Sequence, residues 1–159
     1  MPKSPTPERL RLKAEDEEDL TVLSTILQDA VVPVGDIAYL ADQRRLAMVV
    51  NRFCWECCPD EALIKDQPPQ RVLTAFVIEQ VKAVKSQGID RDRHGHLLEV
   101  LAVQRVADGA EPVIEILFSG DQALRVAVER INAHLDDLEE PYPTSWRPHH
   151  RLDETAQDT

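Results

Sequence analysis

The spacing of apolar residues changes character along the chain. Leu20, Leu23, Ile26, Leu27, Ala30 and Val31 recur at helical intervals, so one face of a helix is offered to a core. Asp16 stands where an N-cap belongs, Glu17, Glu18 and Asp19 fill a first turn favoured by the helix dipole, and Pro33 stops the run. A short extended stretch, Leu10 to Lys13, precedes it. From Gly35 to Val128 the alternation has period two and predicts strands over 37–40, 46–55, 71–79, 81–86, 97–106, 113–118 and 123–128. Asp108-Gly109 and Ser119-Gly120-Asp121 are turn signals between the last three of these. Most connections are too short for a helical crossover, so the sheet should be largely antiparallel. Beyond it Ile131, Leu135 and Leu138 fall at i, i+4 and i+7, which predicts a short closing helix before Pro141. On that helix the neighbours Asp136 and Asp137 would diverge by about 100° and form a solvated face. The expected fold is α+β: a curved, largely antiparallel sheet of about seven strands with an N-terminal helix and a C-terminal closing helix.

Composition narrows the setting. The 159 residues are 43% hydrophobic and 30% charged, which suits one soluble domain, placed here at 8–147 with disordered ends at 1–7 and 148–159. Eighteen basic against twenty-nine acidic side chains give a net charge of −11, which repels phosphate backbones and anionic membrane surfaces. Residues 106–159 carry 4 basic and 12 acidic side chains, so most of the excess lies there. No apolar run is long enough for a signal peptide or a membrane span, so a cytoplasmic location without a membrane partner is expected. Cys54, Cys57 and Cys58 are an odd, clustered set, expected as free thiols in a reducing compartment.

Candidate chemistry is sparse. Zinc wants four ligands, and Cys54-x-x-Cys57-Cys58 supplies at most three, with His94 and His96 the nearest candidates to complete a site; packing of the cysteines as small apolar side chains is favoured. No nucleophile motif is present, and the five glycines are too far apart for a phosphate cradle. Arg44, Arg45, Arg52, Arg71, Lys82, Lys85, Arg91 and Arg93 could make a basic patch, but this segment balances its charges and lacks the aromatic pairs on which bases stack. More suggestive is the stretch 140–148, rich in proline and carrying Tyr142, Trp146 and Arg147. Segments of this kind dock in grooves, their own or a partner's, and these three residues are the candidate partner-binding set.

The runs Leu10-Arg11-Leu12-Lys13-Ala14-Glu15-Asp16, Leu27-Gln28-Asp29-Ala30-Val31-Val32-Pro33-Val34-Gly35-Asp36, Asn51-Arg52-Phe53, Ser86-Gln87-Gly88-Ile89-Asp90 and Pro141-Tyr142-Pro143-Thr144-Ser145-Trp146-Arg147-Pro148 resemble the DUF2948 family of small alphaproteobacterial proteins of unknown function. The resemblance implies no reaction, cofactor or catalytic residue, and the cysteines fall outside its pattern. In element count the expected fold is also similar to a pleckstrin-homology-like barrel, an analogy that implies no function. The reading of the residues is a non-catalytic protein-binding or adaptor module, without cofactor or metal, whose partner is another protein or a second copy. The alternative is a small enzyme or metal-dependent protein whose site is assembled only in the fold.

Overall fold

Asp16 caps the helix as expected: its carboxylate accepts the Asp19 N–H at 2.8 Å, and helix α1 spans Glu17–Leu27 with Leu20, Leu23 and Leu27 buried. The structure, a computed structural model, describes residues 9–54, 70–106, 111–140 and 142–143. The helix ends before the run predicted to continue to Val31. Asp29 takes a left-handed φ of 68° and donates its N–H to the Val100 carbonyl at 2.9 Å, which turns the chain into the sheet. Ala30 still reaches the core, and Val31 continues as strand; an apolar spacing that suits both structures was resolved by this contact with a distant strand.

The strands are β1 (Arg11–Ala14), β2 (Val31–Pro33), β3 (Ile37–Leu40), β4 (Arg45–Phe53), β5 (Gln70–Ile78), β6 (Val81–Gln87), β7 (Leu97–Val106), β8 (Val113–Phe118), β9 (Gln122–Val128), β10 (Ala133–Asp137) and β11 (Tyr142–Pro143). These eleven form one open sheet in the order β1-β10-β5-β4-β2-β7-β8-β9-β6, with β3 added on β4 and β11 on β5. Every pairing among them is antiparallel. All seven expected strands are present as β3 to β9. The predicted C-terminal closing helix is replaced by β10, which lies between β1 and β5. Ala133, Leu135 and Asp137 point inward from it while His134 and Asp136 stay half-buried. Asp137 is a carboxylate at an inward position, so the apolar residues of this strand carry the spacing of a sparse helical stripe.

Curvature comes from a corner shared by two strand pairs. Gln80, at φ 56°, separates β5 from β6, and residues 129–132 separate β9 from β10. The Glu129 N–H donates to the Gln80 carbonyl at 3.0 Å, and the Glu79 N–H to the Asn132 carbonyl at 2.8 Å. Arg130 and Asn132 also donate to the Gln80 side-chain oxygen. The pairs β5–β10 and β6–β9 are thus two arms of one bent ribbon, whose concave side holds Phe76, Ile78, Leu135, Val126 and Val128. Helix α1 covers this core from the β7 side, where the register of β7 against β8 shifts between Val100 and Ala102 and Ser24 Oγ accepts the Val103 N–H at 2.9 Å. Each fully buried aliphatic side chain contributes about 1.5–3 kcal/mol to such a core.

Candidate binding cleft

The sheet fails to close between β3 and β6. Val81 N–H donates to the Arg44 carbonyl at 2.9 Å, which joins the start of β6 to the tip of the β3–β4 hairpin. Beyond that link neither strand has a further neighbour among the described residues: β3 pairs with β4 alone and β6 with β9 alone. Between them lies a cleft of about 290 Å³. Ile37 and Tyr39 reach it from β3, Val84 and Ser86 from β6. These face inward, because Ile37 and Tyr39 stand opposite buried Met48 and Leu46, and Val84 and Ser86 opposite buried Val126 and Leu124. The cleft is therefore a place where the inner side of the sheet meets solvent over a floor of Val34, Leu46 and Leu124.

Its far wall is the loop before β7. Gly35 N–H donates to the His94 carbonyl at 2.8 Å and Val34 N–H to the His96 carbonyl at 2.9 Å. The approach is close: a Cβ on Gly35 would lie 2.9 Å from the His94 Cβ and 3.2 Å from its carbonyl oxygen. Gly88 anchors the other end at φ 73°, and the Gln122 amide donates to its carbonyl at 3.1 Å. The wall brings Arg91 and His94 to the cleft, and no lining residue is acidic. Among the described residues the side chains of Tyr39, Ser86, Arg91 and His94 make no hydrogen bond or ion pair within the chain. Four polar groups therefore border an apolar floor with their hydrogen-bonding capacity directed to solvent.

Elsewhere polar groups are spent on one another. Arg52, fully buried, gives two hydrogen bonds from Nη2 to Asp137 at 3.0 and 2.9 Å and one from Nε to Thr74 Oγ1 at 3.1 Å. The Thr74 hydroxyl donates to Asp137 at 2.7 Å, and the Leu10 N–H donates to the same carboxylate at 2.8 Å. This cluster ties β1, β4, β5 and β10 together beneath the sheet. On the outer face a charged row crosses the same strands: Arg11 to Asp136, Asp136 to His134, His134 to Glu79, Glu79 to Arg45. Burial pushes the Glu79 carboxyl up, but hydrogen bonds from Arg45 and His134, with their charges, outweigh it and hold the group below its ordinary range. Asp136 is lowered in the same way, burial opposing and His134 and Arg11 prevailing.

The family model described as "Protein of unknown function (DUF2948)" matches residues 10–150. The chain belongs to the DUF2948 family. No curated protein and no solved structure matches it.

In this DUF2948 protein only some of the residues singled out from sequence fall among the described ones. Tyr142 opens β11 and pairs with Arg71 of β5, while Trp146 and Arg147 lie outside the described residues. Cys57 and Cys58 also lie outside them. Cys54 is buried at the end of β4 and disulfide-bonded, which corrects the expectation of three free thiols and removes it as a thiolate ligand. His94 lines the cleft, and His96 approaches Gln122 at 3.3 Å. Among the described residues no group of three or more His, Cys, Asp or Glu could hold a metal ion, and no helix is long and apolar enough to cross a membrane.

The supposed basic patch breaks up. Arg44 pairs with Glu129, Arg45 with Glu79 and Lys82 with Glu111; Arg52 is internal, and Arg71 stacks 3.9 Å over the Phe53 ring. Asp137 is likewise a buried partner and not part of a solvated face. Sequence reading missed the cleft because its walls come from segments some fifty residues apart. The local signal was β3 itself, Ile-Ala-Tyr-Leu, a strand without a charge.

Proposed function

We propose that this protein is a non-catalytic binding module that takes an extended segment of a partner protein along the free edge of β3, over the cleft. The observation that carries the reading is the contrast between the two open edges. Proteins guard exposed strand edges with charge, lysine above all, and β6 carries Lys82 and Lys85. β3 carries no charged residue, and three of its four residues are exposed. An incoming strand would satisfy its outward N–H and C=O groups while alternate side chains enter the cleft. The cleft volume, about 290 Å³, is just under the roughly 300–1,000 Å³ of small-molecule sites and suits side chains of a bound segment better than a whole cofactor.

The test is selection of binders from a random peptide library, followed by amide-shift mapping of a selected peptide on isotope-labelled protein. The largest shifts are expected at Ile37 to Leu40 and at Val84 and Ser86, and Ala38→Lys should abolish them while the fold persists. Selected peptides that perturb only other surfaces, or a library that yields no binder, would overturn the proposal.

A further inference from the structure

The cleft is polarised along β3, and the polarity specifies its occupant. At the Gly35 end stand Arg91 and His94, brought there by the backbone pairing of Gly35 with His94. At the other end Tyr39 stands opposite Leu46, and the floor is aliphatic. In a chain of net charge −11, a lining without one acidic side chain and with an arginine free of any described partner is complementary to an anionic group. Every strand pairing described in this sheet is antiparallel, so an added strand following that pattern runs from the Leu40 end toward the Gly35 end. Side chains two positions apart point the same way.

Resting on the strand-addition reading, we infer that the partner segment carries an aliphatic side chain followed two positions later by an aspartate or glutamate, the first seated over Leu46 and Leu124 and the second facing Arg91. The backbone of β3 supplies the pairing; Arg91 supplies selection and direction. Arg91 is exposed, so the preference should be modest and fall with salt, as for a rim charge pair.

Short capped peptides test this directly. One carries valine and, two positions on, glutamate in a threonine-rich extended background; matched peptides replace glutamate by glutamine or lysine, or reverse the order. Titration followed by amide shifts reports both the place and the affinity of binding. The valine-then-glutamate peptide should bind at Ile37 to Leu40 about threefold to fivefold tighter than the glutamine and reversed peptides. Arg91→Ala should erase the difference, and Arg91→Glu should transfer preference to lysine, each with an unchanged far-ultraviolet spectrum. Equal binding of all four peptides on β3 would overturn the inferred sequence and leave strand addition standing. Absence of shifts on β3 with every peptide would overturn strand addition itself.

Discussion

Removal of the Asp137 carboxylate should be among the most damaging single changes in the molecule. The residue is 8% exposed and its partner Arg52 is 0% exposed, so Asp137→Leu removes from the interior the carboxylate that accepts from the Arg52 guanidinium, the Thr74 hydroxyl and the Leu10 N–H. Breaking a buried pair from one side costs about 3–5 kcal/mol. A domain of this kind is stable by roughly 5–15 kcal/mol, so a large fraction is at stake. At about 2–4 °C per kcal/mol for a chain of this size, the melting temperature should fall by roughly 6–20 °C. Arg52→Met should cost a similar amount, because it leaves the carboxylate unpaired. The double variant, in which both ions give way to apolar side chains of similar length, should lose clearly less than the sum of the singles. Urea denaturation of the four proteins gives the coupling directly, and the loss should be insensitive to salt because the pair is shielded from solvent. An Asp137→Leu cost below about 1 kcal/mol, or strict additivity in the double variant, would refute the view that this pair is internal and mutually dependent.

Two further outcomes follow from local geometry. Gly35→Ala places a methyl group 2.9 Å from the His94 Cβ, so the wall must retreat; a cost of about 1–3 kcal/mol and faster hydrogen exchange at the Val34 and Gly35 amides are expected, with exchange in β8 and β9 unchanged. Glu79 and Asp136 are held below their ordinary values of 4.5 and 3.8, so their contribution to stability is present above those values and is lost as pH falls through the lower folded ones. Urea midpoints of the natural protein should therefore decline below about pH 4.5, and Glu79→Gln should flatten that acid limb; identical limbs for the two would contradict the role assigned to the outer row.

What could be read along the chain was whatever a strand decides locally. Leu46, Met48 and Val50 alternate with half-buried neighbours in β4 as their sequence implies, and Asp16 caps its helix because the capping contact spans only three residues. The failures share one cause. Val31 leaves the helix for a strand because Asp29 bonds to Val100 far along the chain, and β10 is hidden in the sequence because Asp137 is polar at an inward position that Arg52, Thr74 and the Leu10 N–H, all distant along the chain, make tolerable. A polar residue in the alternation can signal a buried partner as well as a surface, and Arg52, inward in a strand otherwise apolar on that side, was the matching half of the signal.

The cleft belongs to the same class of non-local fact, and it follows from how the sheet is bent. The Gln80 corner turns β6 away from β5, and the link from Val81 to Arg44 holds β6 beside the tip of the β3–β4 hairpin, so β3 and β6 diverge from a common point without pairing. Had β3 been longer or the corner tighter, the two edges would have met and covered Ile37 and Tyr39. The Gly35–His94 contact instead walls the gap and delivers Arg91 to its rim. An uncharged edge beside an apolar, acid-free opening is a costly thing to leave uncovered, since it invites unwanted strand pairing. Its lysine-bearing opposite edge shows that this fold can guard a strand, and that contrast is the reason the proposed partner segment is assigned to the unguarded one.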